Sequence, residues 1–358
     1  MLAPGSTIGI VGGGQLGRML AMAAARLGFE TVVLDPDAQA PAFQVAKEAI
    51  IAAYDDKKAI AELAEKSDVI TYEFENVPVS ALQLVPETTP VHPNTRALEI
   101  SQDRFMEKSF VRDLGVDTAP FWDCPSPEVL QNALGEAVGR GILKTRRFGY
   151  DGKGQIRLSS DDSKSFEAAA RLASESSSIL EGFVDFEREI SVIATRGTDG
   201  SIVTYDPSHN VHREGILRTS TVPAGIAPDI TRKAVSVAER MLASLDYVGT
   251  MGIEFFLMPD STLLVNEFAP RVHNSGHWTE AACMVSQFEN HIRAIAGQPL
   301  GNTERHSDCC MENLIGNDMD SVPGLLGEPN IHLHLYGKHE VRPGRKMGHV
   351  TRITPKTA

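Results

Sequence analysis

Short apolar runs and amphipathic stretches alternate along the first ninety residues. Thr7-Ile8-Gly9-Ile10-Val11 is a β-branched run that ends in glycines, and a helix through Leu20, Ala24 and Leu27 follows it. Thr31-Val32-Val33-Leu34-Asp35 reads as the next strand and Val69-Ile70-Thr71-Tyr72-Glu73 as a later one. Strand–helix alternation of this kind predicts a parallel, doubly wound sheet. Pro90 and Pro93 punctuate its end. From 94 to 297 the pattern mixes helices with strands and hairpins, closing on a helix expected over 280–295. The remainder carries a strand-like Ile331-His332-Leu333-His334-Leu335-Tyr336 and then turns broken by Gly and Pro. The expected fold class is α/β, in three parts. Residues 1–103 form the doubly wound domain, 104–297 a central α+β domain, and 298–358 a small, mostly β domain.

Composition narrows the partners. The 358 residues suit two or three domains. Hydrophobic residues make up 42% and charged residues 23%, which excludes a disordered chain. A net charge of −13 repels nucleic-acid phosphates and anionic lipid, so neither is an expected partner. No window approaches the roughly 20 apolar residues that span a bilayer. No basic leader precedes the first strand, and a cytoplasmic location is expected. Cys124, Cys283, Cys309 and Cys310 lack zinc spacing and do not resemble a secreted disulfide framework. There is no internal repeat.

Three clusters carry chemistry. In Gly12-Gly13-Gly14-Gln15-Leu16-Gly17 a glycine-rich turn follows a strand and opens a helix, with Asp35 at the end of the next strand. That satisfies the dinucleotide fingerprint. Glycines admit an anion and helix N–H groups receive it, so a phosphate is expected near Gln15 and Leu16. Whether it belongs to a dinucleotide or a sugar phosphate stays open, and tight packing is the bland alternative. The second cluster spans Lys144-Thr145-Arg146-Arg147-Phe148-Gly149-Tyr150-Asp151-Gly152-Lys153-Gly154-Gln155. Four cations and three glycines in a hairpin-like stretch of an acidic chain suit a mobile lid over phosphates. A solvated basic turn is the alternative, and the spacing lacks the Gly-Lys-Ser/Thr ending of a Walker loop.

The third cluster depends on register. Met251-Gly252-Ile253-Glu254-Phe255-Phe256-Leu257 and Thr262-Leu263-Leu264-Val265-Asn266-Glu267-Phe268 flank a turn. If it is symmetric about Asp260-Ser261, Glu254 and Glu267 stand opposite each other. Facing carboxylates about 5 Å apart destabilise a hairpin unless a cation lies between them. Two carboxylates are also what Mg2+ takes from a protein while it keeps water and phosphate ligands. A one-residue shift would destroy the pairing, and two solvated glutamates are the alternative. Next comes Arg271-Val272-His273-Asn274-Ser275-Gly276-His277, suited to a small anion or polar substrate. In the tail, Lys338 precedes a cationic turn, Arg342-Pro343-Gly344-Arg345-Lys346-Met347-Gly348-His349. His332 and His334 alternate on one strand, but no third ligand is in view, so no metal is expected there.

Taken in order, these segments resemble the ATP-grasp enzymes, and more closely the N5-carboxyaminoimidazole ribonucleotide synthetase family. Gly12-Gly13-Gly14-Gln15-Leu16-Gly17-Arg18-Met19, Thr71-Tyr72-Glu73-Phe74-Glu75-Asn76-Val77-Pro78, the lid cluster, the segment from Asn266 to His277 and the tail cationic turn all carry the likeness. The resemblance covers nearly the whole chain. It implies a pre-ATP-grasp domain, an ATP-grasp domain with a lid over about 112–184, and a C-terminal β domain. It also implies carboxylation of 5-aminoimidazole ribonucleotide by bicarbonate and ATP, through carboxyphosphate, in purine biosynthesis.

The likeness further assigns roles. ATP would meet Arg104, Lys144, Gly149, Tyr150, Asp151, Gly152, Lys153, Gly154, Gln155, Glu189, His212, Asn266 and Glu267, with Glu181, Gly182, Phe183 and Val184 reading adenine. Glu254 and Glu267 would carry Mg2+, as two ions. Arg271 and His273 would hold bicarbonate or carboxyphosphate. Gln15, Leu16, Glu73, Ser275, Lys338 and Arg345 would bind the ribonucleotide, with Tyr150, Asp151 and Lys346 near its amine. Asp151 would orient or deprotonate that amine. A homodimer is also implied. Competing readings are a formate-using transformylase or a biotin carboxylase, a nicotinamide oxidoreductase resting only on the first glycines, and a non-catalytic ATP-binding protein.

Overall fold

The computed structural model describes residues 1–149 and 154–357. Four parallel strands, β1 (Thr7–Val11), β2 (Glu30–Asp35), β3 (Glu48–Ile51) and β4 (Val69–Tyr72), lie in the order β3-β2-β1-β4. The Gln15–Arg26 helix covers one face with Leu16, Met19 and Leu20. Those side chains share a core with Phe288, Ile292 and Ile295 of the Gln287–Ile295 helix, which belongs to the central region. The N-terminal sheet and the middle of the chain are therefore packed together, not loosely hinged.

Strands β5 (Phe121–Cys124), β6 (Arg140–Thr145), β7 (Gln155–Ser159) and β8 (Ser178–Gly182) form a separate antiparallel sheet, ordered β5-β8-β6-β7. Its core is its own. Leu143, Leu158 and Leu180 meet Leu130 and Ala169 from the Pro127–Glu136 and Ser163–Glu175 helices.

The third sheet is the largest. Its strands are β9 (Arg188–Arg196), β10 (Ile202–Thr204), β11 (Ser208–Arg213), β12 (Ile216–Val222), β13 (Gly249–Leu257), β14 (Leu263–Ala269), β15 (Ser307–Ile315), β16 (Ile331–Leu335) and β17 (Lys346–Pro355). They run β14-β13-β9-β11-β12-β15-β17-β16, with β10 paired to β9. The Pro228–Ser244 helix seals one face, burying Ala234, Met241 and Leu242 against Val192, Ile253 and Phe255. Because β12 pairs with β15, the strands of 298–358 extend the central sheet rather than stand apart from it.

The helix expected over 280–295 is broken. Thr279–Ala282 and Gln287–Ile295 are separate helices. Between them Cys283 bridges Arg305 and Val285 N donates to Asn302 O, while the Ser286 side chain accepts from Glu289 N and starts the second helix. Strand-like pairing and a serine cap outcompete continuation. Among the described residues no helix is long and apolar enough to cross a membrane.

Two glycines show opposite constraints. A Cβ on Gly17 would lie 2.3 Å from the Gly12 carbonyl oxygen, whereas one on Gly135 meets nothing within 4 Å. Gly17→Ala should cost ~1–3 kcal/mol by forced backbone displacement. Gly135→Ala should be neutral or gain up to ~1 kcal/mol of helix stability. Urea unfolding midpoints of the two variants check the contrast.

Candidate active site

The hairpin of β13 and β14 puts Glu254 opposite Glu267, and it does so through a β-bulge. On the turn side Phe255 pairs with Val265 and Phe256 with Leu264, a register that would set Asn266 against Glu254. Asn266 is instead the extra residue. The bulge moves β14 on by one, and the two carboxylates face each other. Ile253 and Phe255 point into the core, so Glu254 points the other way, into a cleft. That cleft is a cavity of about 830 Å³ whose wall includes Gln15, Lys144, Glu189, Arg271 and Lys346 besides the two glutamates.

The pair carries an electrostatic asymmetry. Burial, then the Glu267 charge, pushes the Glu254 carboxyl up to about 7. Burial also opposes ionisation of Glu267, but Arg104 and Lys144 outweigh it and hold its pKa below the ordinary value. Arg104 Nη1 lies 3.1 Å from Glu267 Oε2, and its Nη2 donates to Gly149 O at 3.0 Å. One guanidinium thus ties the glutamate pair to the start of the lid loop.

Lys144, near the end of β6, reaches Glu181 Oε1 at 3.1 Å. Lys108 reaches Glu181 Oε2 at 3.3 Å and also donates to Asn266 O at 3.0 Å. Burial penalises the Glu181 charge, yet Lys108, Lys144 and Arg104 bring its pKa down to about 2. Two lysines on one carboxylate leave a surplus positive charge at the cleft wall, as a phosphate requires. Close by, Phe186 and Phe256 stack with centroids 4.6 Å apart, and both line the cavity. Gly182 N donates to Pro120 O and Phe183 N to Arg140 O, so these two N–H groups already have protein partners. Val184 is half-buried beside them. Glu189 of β9 and His212 of β11 form a short pair; burial works against the His212 cation, but Glu189 and Glu254 raise its pKa.

At the other end Arg271 forms an ion pair with Glu75, from the loop after β4. His273 is held from every side. Gln287 accepts from its backbone N at 2.9 Å and donates to its carbonyl at 2.7 Å. Gly252 makes room, since a Cβ there would come within 2.5 Å of His273 Cβ. Ser275 N donates to His273 Nδ1 at 3.4 Å and Ser275 Oγ lies 2.9 Å from it, which leaves the ring proton on Nε2. Burial, then Arg271, lowers its pKa to about 3, so the ring is neutral, with Nε2 3.9 Å from Glu254 Oε1. Ser275 is itself buried and braces His273, its hydroxyl accepting from Ser191 at 2.7 Å.

The first glycine cluster has a particular occupant. Gly13 N donates to Asp35, which also accepts from the Tyr54 hydroxyl. Gly14 N and Gly17 N donate to the two oxygens of Glu73. Burial raises the Glu73 pKa against those two bonds. The acid that a dinucleotide ribose would need is therefore spent within the loop. Gln15 and Leu16 are on the cavity wall, whereas Glu73 turns inward to the glycines. Of the tail cations Lys346 lines the cavity. Lys338 donates to Lys346 O at 2.7 Å, and Arg345 to Glu340 O at 3.1 Å. These two support the same turn but are not part of the described cavity wall. Gly154 precedes β7 and Gln155 begins it, paired with Lys144. Tyr150, Asp151, Gly152 and Lys153 lie outside the described residues.

Sequence reasoning missed Glu75, Glu107 and Lys108 as individual groups. Glu75 stood within a quoted motif, but its pairing with Arg271 joins segments almost two hundred residues apart. Glu107 and Lys108 sit on the Arg104–Asp113 helix and are buried. Two adjacent buried charges in a helix were the available signal.

A cleft between a sheet-and-helix body and a separate antiparallel sheet, with facing acids and nearby buried lysines, is the arrangement of an ATP-grasp enzyme. The ATP-grasp domain family matches residues 109–288, the ribonucleotide synthetase preATP-grasp domain 5–102, and the phosphoribosylaminoimidazole carboxylase C-terminal domain 309–358. The N5-carboxyaminoimidazole ribonucleotide synthase of Brucella melitensis is 62% identical over 99% of this chain and 98% of its own. An ADP complex of N5-carboxyaminoimidazole ribonucleotide synthetase superposes with a TM-score of 0.95 at 41% identity, covering 99% of this chain and 94% of the other. The Aspergillus clavatus synthase in complex with ADP and 5-aminoimidazole ribonucleotide gives 0.92 at 30% identity, with 98% and 94% covered. The chain belongs to the N5-carboxyaminoimidazole ribonucleotide synthase family.

Glu107 gives a pH test. Burial, then the nearby Glu267 charge, raises its carboxyl to about 8, although Oε1 accepts from Phe268 N at 2.7 Å. The folded form holds a proton that the unfolded chain releases near the ordinary carboxyl pKa, so stability falls as pH rises through that interval and levels off near 8. Glu107→Gln keeps an acceptor for Phe268 N and removes the titration. The variant should gain stability relative to the parent between pH 5 and about 8, read by urea unfolding across that range.

Proposed function

We propose that the protein carboxylates 5-aminoimidazole ribonucleotide with bicarbonate and ATP, giving N5-carboxyaminoimidazole ribonucleotide, ADP and phosphate. The observation that carries the reading is the facing pair Glu254 and Glu267 in the same cleft as Lys144, Arg271 and His273. The family and its complexes with ADP and aminoimidazole ribonucleotide support it. Dimerisation and a cytoplasmic setting belong to the same proposal and rest on the family.

The glutamate pair fits divalent metal. Two acids share one site, Glu254 is pushed up by its partner, and Asn266 bulges out beside them. Glu254 and Glu267 would hold Mg2+, as two ions, which supplies charge neutralisation at the ATP phosphates. The chain does the rest. Lys144 and Arg104 would align the phosphates, and the 149–155 segment, with Lys153, would cover them. The stacked Phe186 and Phe256 would offer an apolar face to the base, beside the segment from Glu181 to Val184, and Glu189 with His212 would take the ribose hydroxyls.

Bicarbonate is a poor electrophile because hydroxide is its leaving group. Arg271 would hold its negative charge, and the His273 Nε2–H, fixed by Ser275, would donate to one oxygen. A bicarbonate oxygen then attacks the γ-phosphorus, ADP leaves, and carboxyphosphate forms with phosphate as the new leaving group. The ribonucleotide amine attacks that carbon, or CO2 released from it within the closed cleft. Water exclusion protects both species. Gln15 and Leu16 would seat the ribonucleotide, Lys346 would face its amine, and Glu73 would act indirectly by shaping the glycine loop. Lys338, Arg345 and Ser275 brace Lys346 and His273. Asp151 would orient or deprotonate the amine.

ADP release, measured with ATP and bicarbonate in the presence and absence of aminoimidazole ribonucleotide, tests the proposal. Stimulation by the ribonucleotide with stoichiometric carboxylated product is expected; turnover indifferent to it would reject the substrate. Glu267→Gln should lower ADP release at least ~100-fold at ordinary Mg2+, a loss on the scale of an electrostatic catalytic group. Near-normal turnover would remove its role. Asp151→Ala should lose carboxylation far more than ATP affinity, and equal losses would leave Asp151 as a lid residue only.

A further inference from the structure

Behind the loop that carries His273, three donors from separate parts of the chain converge. Glu280 comes from the Thr279–Ala282 helix, His334 from β16 and His349 from β17. The antiparallel register sets His334 directly opposite His349, and their rings stack with centroids 5.3 Å apart. Glu280 Oε2 lies 3.1 Å from His334 Nδ1 and 3.9 Å from His349 Nε2, and one donor atom from each residue falls within 4.8 Å of the others.

We propose that Glu280, His334 and His349 form a second, structural metal site, for a divalent transition ion of the zinc type. The donor chemistry is two imidazoles and a carboxylate, which suits Zn2+ and its neighbours rather than Mg2+. Donors about 2.0–2.1 Å from a common ion stand roughly 3–4 Å apart; both glutamate–histidine separations fall in that range, and a small shift of the side chains would bring the third pair into it. A hydrogen bond accounts for His334 with Glu280 but not for His349, whose 3.9 Å separation exceeds one. His349 is 2% exposed, and its Nδ1 lies 2.9 Å from the hydroxyl of fully buried Tyr336. That contact fixes the ring and leaves Nε2 toward the glutamate, as the outer partner of a ligating histidine does. Glu280 is exposed and His334 half-buried, so an ion can arrive from solvent and retain a water as its remaining ligand.

A further histidine closes the inner side. His277 is fully buried with its ring centroid 4.9 Å from that of His349. Gln287, whose orientation is set by the His273 backbone, places its amide nitrogen 3.2 Å from His277 Nδ1. The His277 proton is therefore on Nε2, a buried atom without a partner. His277 is a wall of the site and not a ligand, which keeps the donor count at three. The ion would tie the segment following His273 to the strand that begins with Lys346.

The test uses the full chain stripped with chelator, in saturating Mg2+ and ADP so that the glutamate pair is masked. Equilibrium dialysis with Zn2+ and metal analysis should give one ion per chain. Co2+ should give the visible bands of a low-coordinate nitrogen–oxygen site without a thiolate charge-transfer band. Glu280→Gln and His334→Ala should each weaken binding at least ~10-fold and abolish the rise in Tm that Zn2+ confers on the parent. Metal-free melting of each variant reports whether it folds, and Glu280→Gln, at an exposed position, remains informative if the histidine variant does not. Equal binding by parent and variants, a thiolate band, or no binding would each overturn the site.

Discussion

Two carboxylates held face to face in a β-ribbon are a standing electrostatic cost, and much of the cleft is arranged around it. The backbone imposes the arrangement, since the bulge at Asn266 prevents the relaxed register that would separate the charges. Burial and mutual repulsion push Glu254 toward its protonated form, while Arg104 keeps Glu267 ionised. Such a pair is poised for added positive charge. Arg104 connects the same glutamate to Gly149, so the acid pair and the lid loop are coupled before any ligand arrives.

A buried cluster beside the pair solves a related problem. Lys108 and Lys144 share the Glu181 carboxylate, which lets two ammonium groups remain near each other in a buried place. The Arg271 end of the cleft is built by different means. His273 is neutral because it is buried next to Arg271, and Ser275 dictates which nitrogen keeps the proton. A neutral ring beside the Arg271 guanidinium keeps an N–H donor without adding a second positive charge.

Periodicity and turn chemistry made the N-terminal parallel sheet, the lid hairpin and the facing glutamates readable in the sequence. They did not expose how the glutamates come to face each other. A symmetric turn and a shifted turn corrected by a bulge give the same pairing at Glu254, and only backbone hydrogen bonding distinguishes them. The glycine loop satisfied a phosphate-binding pattern, yet three of its N–H groups receive Asp35 and Glu73, because those acids arrive from strands whose neighbours are set by topology. The break within 280–295 escaped notice for a similar reason. Its cause, pairing with 302–305, is tertiary. The Glu280, His334 and His349 cluster was out of reach because Glu280 is more than fifty residues from His334.

The Gln287–Ile295 helix serves several clients at once. Phe288 and Ile292 pack against the N-terminal sheet and its Gln15–Arg26 helix, Gln287 grips the His273 backbone, and His291 bonds both Thr71 of β4 and Thr250 of β13. Among the described residues the β5–β8 sheet shares none of these contacts and keeps a private core. Evolutionary drift should therefore be uneven: lid interior residues can exchange as a set, whereas a change in this one helix must satisfy three neighbours simultaneously and will be tolerated only with compensating substitutions elsewhere.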